Sequence, residues 1–223
     1  MKRFFITGID TGIGKTMVTG LIAKYLLSTK KSVVTIKPVQ TGASLPEDII
    51  MHRKIMNINS LPEDLQNITC PYIFKFPGSP HLSSGLEAVE IDYQKISRQI
   101  KEVSGRYEFT LIEGAGGLVV PLTKNYTMDL MVASLDCELI VVNSSRLGSI
   151  NHTLLTIAYA QNKNIPISGI VYNYIPNCDQ QIYLSTLDYL NDYYQNKIPI
   201  ICVPEVKNDD FPLIDFSKIL FSN

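Results

Sequence analysis

Two periodicities alternate along the chain. Short apolar, β-branched runs at Arg3 to Thr7, Ser32 to Lys37, Phe109 to Ile112, Leu139 to Val142, Ile167 to Tyr172 and Pro199 to Val203 read as strands. Between them, apolar positions recur at helical spacing near Met17 to Ser28, Asp48 to Met56, Tyr93 to Val103, Met128 to Leu135, Ile150 to Asn162 and Gln180 to Tyr194, with a short last helix near Leu213 to Phe221. This alternation predicts an α/β fold, a doubly wound, mostly parallel sheet flanked by helices. The segment from Leu61 to Gly85 carries Pro62, Pro71, Pro77 and Pro80 and fits neither period, so a long ordered rim loop is expected there. No repeat or linker divides the pattern, and a single domain over 1–223 is expected, burying roughly 70–75% of its unfolded surface.

Composition narrows the partners. Twenty Lys and Arg against 21 Asp and Glu leave no basic field for nucleic acid or an anionic membrane, so small molecules are the expected ligands. Cys70, Cys137, Cys178 and Cys202 form no C-x-x-C pair and have no nearby His, which argues against a zinc site or disulfide framework and for a reducing, cytoplasmic setting. The apolar run behind Met1-Lys2-Arg3 stops at Thr7, and no later segment has 18 continuous apolar residues, so neither secretion nor membrane spanning is expected.

Open α/β sheets bind ligands beyond the carboxyl ends of their strands, where the chemically loaded segments of this chain fall. Gly8-Ile9-Asp10-Thr11-Gly12-Ile13-Gly14-Lys15-Thr16 links the first strand to the first helix as a phosphate-binding loop, with five residues rather than the usual four between Gly8 and Gly14. Glycines let successive N–H groups wrap phosphate, Lys15 reaches the β- and γ-phosphates, and the Thr16 hydroxyl suits Mg²⁺. The helix N-terminus faces the same anion. The loop predicts a nucleoside triphosphate ligand and a P-loop NTPase type of sheet.

Lys37, held extended by Pro38, ends the second strand as another cation at the phosphate edge, placed to neutralise charge on a transferred phosphoryl group. Glu113 follows the third strand, where such enzymes put a metal-holding acid, and glycines follow it. Asp48 reads either as a second metal acid or as an ordinary helix-start acid. Thr16, Asp48 and Glu113 together meet the oxygen demand of Mg²⁺. His52, His81 and His152 lie at unrelated spacings and read as packing or surface residues. Tyr183, Tyr189, Tyr193 and Tyr194 read as a half-buried helix face or a subunit contact.

Taken in order, G-x-D-T-x-x-G-K-T at Gly8 to Thr16, Lys37-Pro38-Val39-Gln40-Thr41-Gly42, Ser79-Pro80-His81, Glu113-Gly114-Ala115-Gly116-Gly117 and Leu147-Gly148-Ser149-Ile150-Asn151-His152 resemble the dethiobiotin synthetase family. The resemblance implies ATP- and Mg²⁺-dependent closure of a cyclic urea from 7,8-diaminopelargonic acid and CO₂ or bicarbonate, in biotin synthesis. It implies catalytic contacts by Thr11, Lys15 and Lys37, metal contacts by Thr16, Asp48 and Glu113, and Thr41 at the carbamate. Nucleotide contacts are implied at Gly12, Ile13, Gly14, Lys15, Thr16 and Met17, at Glu113, Gly114, Ala115 and Gly116, and at the adenine by Asn173, Pro204, Glu205 and Val206. Gly116 and Gly117 would also lie beside the substrate. The family's homodimer implies that Gly148, Ser149, Ile150, Asn151 and Tyr183 hold the distal carboxylate of the neighbour's substrate, and a helix N-terminus suits that group. Many relatives carry an acid where Gly12 stands, so a contact from that side chain does not carry over.

Two rivals share the loop. A partitioning-type ATPase switch, acting through ATP-dependent dimerisation, would place a signature lysine where Asp10 stands and would need a basic face or a membrane-binding tail; the tail Phe216 to Phe221 is too short and too little charged. A corrin-type amidoligase would need a glutamine-hydrolysing domain, for which this chain has no room.

Overall fold

The apolar runs become the interior of one sheet. The computed structural model describes residues 1–174, 178–195 and 197–221. In chain order the elements are β1 Lys2–Gly8, α1 Lys15–Ser28, β2 Val33–Ile36, β3 Val39–Thr41, α2 Glu47–Met56, α3 Pro62–Leu65, β4 Tyr72–Phe74, α4 Pro80–Leu86, α5 Tyr93–Ser104 and β5 Phe109–Gly117. There follow β6 Pro121–Thr123, β7 Tyr126–Thr127, α6 Met128–Ser134, β8 Glu138–Ser144, α7 Ser149–Asn162, β9 Ile167–Asn173, α8 Gln180–Tyr194, β10 Ile200–Val203 and α9 Ser217–Leu220. Among the described residues, six strands pair in parallel in the order β10-β9-β8-β1-β5-β2.

Period-2 alternation sends neighbours on β1 to opposite faces: Phe4 and Ile6 join Leu111, Ile140, Val142 and Val171 in one core cluster, while Phe5 joins Val34, Ile112, Val141 and Ile170 in the other. Both faces are covered by helices, which is why the strands read as unbroken apolar runs. β1 lies between β5 and β8, so the winding changes direction beside it and the carboxyl ends open onto one crevice.

Gly20, in mid-helix on α1, is a packing requirement. A Cβ there would lie 2.6 Å from Cδ1 of Ile55 on α2. Its absence lets the two helices approach closely, which brings the residues of α2 up to the first turn of α1.

Three expectations are corrected. Leu61 to Gly85 is not a loop: it contains α3, β4 and most of α4, and β4 pairs in parallel with β3, Val39 opposite Tyr72 and Thr41 opposite Phe74. These elements are too short to show a period, and Pro62 and Pro80, which read as breakers, occupy first helical positions where the missing N–H costs nothing. The last helix covers only Ser217–Leu220; Asp215 accepts from the Ser217 N–H at its start, and Phe216 packs edge-on against Tyr25. β5 runs on through Glu113 to Gly117, because Ile6 and Gly8 of β1 pair with Glu113 and Gly117. Low strand propensity at the glycines hid this extension.

Candidate active site

Above β1 the chain turns through the glycine loop into α1. Gly12 and Gly14 adopt left-handed backbone at φ 70° and 90°, and no side chain caps α1, so its first N–H groups stay available to an anion. Lys15 Nζ folds back to donate to the Asp10 carbonyl at 2.8 Å. Burial first, and then the charge of Lys37, pull the Lys15 pKa down to about 8.

Lys37 is set by register. Ile36 of β2 pairs with Ile112 of β5, so the next residues, Lys37 and Glu113, lie side by side. Lys37 Nζ is 2.7 Å from Glu113 Oε1 and 2.7 Å from Asp48 Oδ2, and it donates to the Gly114 carbonyl at 3.3 Å. Burial alone would lower the Lys37 pKa, but the two carboxylates outweigh it and hold it above the ordinary lysine value. Burial likewise opposes the charge on Glu113; Lys37 and His52 override it and hold that carboxyl far below the usual glutamate range.

Thr16 Oγ1, on the first turn of α1, stands 3.0 Å from Asp48 Oδ1 and 3.0 Å from Glu113 Oε1. One hydroxyl proton cannot serve two acceptors, so one of these oxygen contacts has no proton in it, a strain that a cation among the three oxygens would relieve. Two carboxylates and a hydroxyl do not make a closed cage, and among the described residues no cluster of three or more His, Cys, Asp and Glu side chains does either. An open set suits Mg²⁺, which keeps water and substrate phosphates as its other ligands.

These groups face a cavity of about 650 Å³. Of the residues named in the sequence analysis as site candidates, Thr11, Gly12, Gly14, Lys15, Thr16, Lys37, Thr41, Asp48, Glu113, Ala115 and Gly116 line it, together with Val39, Gln40, Val120 and the Pro77 to Pro80 segment, to which no role was assigned. The other expected site residues lie outside this cavity. The Ile13 side chain is in the core, and its carbonyl accepts from Asn173 Nδ2 at 2.9 Å, which ties β9 to the phosphate loop. Met17 packs partly buried against the same core. Gly114 lies against the Phe5 ring, and Gly117 against the Gly8 backbone. Glu205 pairs with Lys207 at 3.0 Å between an exposed Pro204 and a half-buried Val206. Gly148 is the left-handed N-cap of α7, whose first turn holds Ser149, Ile150 and Asn151. Tyr183 on α8 stacks on Tyr172 at 4.9 Å.

Two side chains of the site region escape the sequence reading. His52, fully buried on α2, lies with Nε2 2.9 Å from Glu113 Oε2, and the signal was its i, i+4 spacing from Asp48, which puts both on one helix face. Arg146, beyond β8, pairs with the Asp10 carboxylate, and only the tertiary fold joins these two loops.

The acid-base state of Lys15 makes a testable prediction. Bound phosphate will restore its charge, so nucleotide binding is expected to take up close to one proton at pH 9 and almost none at pH 7, since free Lys15 is already protonated below about 8. Calorimetry in buffers of different ionisation enthalpy reads this directly, and equal uptake at both pH values refutes it.

A family model described as an AAA domain matches residues 2–208. The ATP-dependent dethiobiotin synthetase BioD 2 of Pasteurella multocida is 43% identical over 199 residues, 89% of this chain and 93% of that protein. The ATP-dependent dethiobiotin synthetase BioD of Methanocaldococcus jannaschii is 35% identical over 97% of this chain and 99% of its own length. Among solved structures, the MinD cell division protein of Aquifex aeolicus has a TM-score of 0.56 at 18% identity, over 92% of this chain and 83% of that one. The pNOB8 ParA bound to nonspecific DNA likewise has a TM-score of 0.56, at 14% identity, over 95% of this chain and 88% of that one. Likeness at such low identity shows a shared fold and no more. Among the described residues no helix is long and apolar enough to cross a membrane. The near end-to-end matches to curated synthetases, found for a chain whose glycine loop, paired lysines and two acids meet in one cavity, show that it belongs to the ATP-dependent dethiobiotin synthetase family.

Proposed function

We propose that the chain closes the cyclic urea of dethiobiotin from 7,8-diaminopelargonic acid, CO₂ and ATP by way of a carbamate and a carbamic-phosphoric anhydride. The observation that carries this reading is the meeting of Lys15, Lys37, Thr16, Asp48 and Glu113 at one cavity. One substrate amine adds to CO₂ and loses a proton to give the carbamate. Its oxygen attacks the γ-phosphorus; that O–P bond forms as the bridging P–O bond breaks and ADP leaves. The second amine then attacks the carbamate carbon; phosphate departs as the C–N bond forms, and the amine nitrogen gives up a proton, which the departing phosphate can take.

None of these steps asks a side chain for covalent work, so the residues contribute position and charge. Lys15 and the loop N–H groups hold the phosphates, Thr11 lies beside them, and Thr41 faces the carbamate. Lys37 stabilises charge that grows on the transferred group, which it can do because Glu113 and Asp48 keep it protonated. Mg²⁺ held by Thr16, Asp48 and Glu113 would neutralise phosphate charge.

Asn173, with Pro204, Glu205 and Val206, would border the adenine; the Asn173 bond to the loop supports that side. Gly148 to Asn151 and Tyr183 lie outside the cavity of their own chain, which suits a role toward the substrate of a second copy in a homodimer.

The test is ADP release with Mg-ATP and bicarbonate, with and without the diamine, and mass detection of the product. Diamine-dependent release with one dethiobiotin per ATP is the expected result. Hydrolysis indifferent to the diamine overturns the reading.

A further inference from the structure

Behind the oxygens that face the cavity runs a buried line of hydrogen bonds with a pure donor at one end and a pure acceptor at the other. Arg53, on α2, is a donor only; its Nη1 donates to Thr35 Oγ1 of β2 at 2.7 Å, and Asp64 pins the same guanidinium from α3 at 2.8 and 2.7 Å. At the other end Glu113 is a carboxylate and can only accept, so His52 must turn a proton on Nε2 toward it; Nδ1 of the neutral ring is then the acceptor for the Thr35 hydroxyl proton, 3.1 Å away. His52 then carries its ring proton on Nε2, which points at Glu113 Oε2 at 2.9 Å. Thr35 and His52 are each 0% exposed, so no water competes for these bonds.

We propose that His52 is a positioning residue: its Nε2–H grips Glu113 Oε2 and so presents Oε1 to Thr16, Lys37 and the metal, while the Thr35 hydroxyl, itself held by Arg53, anchors the ring at Nδ1. The two ends of the Glu113 carboxylate are indeed divided, with Oε2 held by His52 from behind while Oε1 takes Thr16 at 3.0 Å and Lys37 at 2.7 Å. A carboxylate free to rotate would lose this orientation, and an unpartnered Oε2 would be a buried acceptor without a donor. His52 itself does not line the cavity. The inference rests on the reading of Thr16, Asp48 and Glu113 as the metal site.

The experiment measures Mn²⁺ binding to the full chain in the presence of ADP by electron paramagnetic resonance, and ADP binding in metal-free buffer separately. His52→Leu is expected to weaken Mn²⁺ by about 10–100-fold and leave metal-free ADP binding unchanged, whereas His52→Gln, whose amide N–H reaches the same oxygen, should return to within about threefold of wild type. Wild-type Mn²⁺ affinity in His52→Leu, or a His52→Gln as weak as His52→Leu, overturns the proposal. Asp48→Asn separates the two layers of inference. If Asp48→Asn binds Mn²⁺ normally, the metal reading falls and the positioning role with it; if it is weak while His52→Leu is normal, only the positioning role falls. Should His52→Leu fail to fold, Thr35→Val removes only the hydroxyl that anchors His52 Nδ1, and unchanged Mn²⁺ binding there overturns the relay.

Discussion

Lys37→Ala is expected to turn over about 10²–10³-fold more slowly than wild type while its affinity for ATP stays nearly the same, the pattern left by removing a donor that acts mainly in the transition state. In the proposed mechanism, phosphate binding at rest falls to the loop N–H groups, the open N-terminus of α1 and Lys15. Lys37 stands across the cavity, tied to Asp48 and Glu113 at 2.7 Å each, and its charge is already desolvated. A cation so placed needs little reorganisation when charge develops beside it. Steady-state kinetics with varied ATP, together with equilibrium nucleotide binding, decides the matter. A parallel loss in affinity and turnover would make Lys37 a ground-state anchor, and normal turnover would remove it from the mechanism. The variant should also bind Mg²⁺ more tightly, because the ammonium competes for Glu113 Oε1, the same oxygen that Thr16 approaches.

Glu113→Gln is expected to lower stability by about 3 kcal/mol at pH 7, the low end of the cost of breaking a buried ion pair, because Lys37 keeps Asp48. The substitution is nearly isosteric, so the loss reports charge rather than a cavity. Its pH dependence follows from the depressed Glu113 pKa. A carboxyl that titrates lower in the folded than in the unfolded protein contributes stability that is fully present above the unfolded value, about 4.3 for a glutamate, and lost as pH falls toward the folded one. Wild type should therefore weaken on acidification from about pH 4.5 downward, and Glu113→Gln should weaken less over the same range. Urea midpoints at pH 7, 4 and 3 test this, and identical slopes would exclude Glu113 as a source of acid sensitivity.

The sequence alone determined the sheet, the phosphate loop and the cavity residues Lys15, Thr16, Lys37 and Glu113; it left Asp48 between two readings, and Thr11 and Thr41 came from the family resemblance. These signals are local: an apolar run of strand length, a glycine spacing, a lysine before a proline, an acid at the end of a buried run. Each is dictated by backbone sterics or by burial on two faces, so each can be read without knowing what lies opposite. What lies opposite was decided by tertiary structure. The Leu61 to Gly85 segment looked like a loop because elements of 3 to 7 residues carry no period, and two of its four prolines, Pro62 and Pro80, start helices. The glycines after Glu113 read as lying beyond the strand because strand propensity penalises them, yet pairing with β1 makes them strand. His52 looked like a packing residue because its one local signal, the i, i+4 spacing from Asp48, does not say that Glu113 of β5 stands behind it, 61 positions away. Arg146 meets Asp10 across 136 positions for the same reason. Partners in a parallel sheet are brought together by crossovers, whose register depends on the whole packed core rather than on any window of sequence.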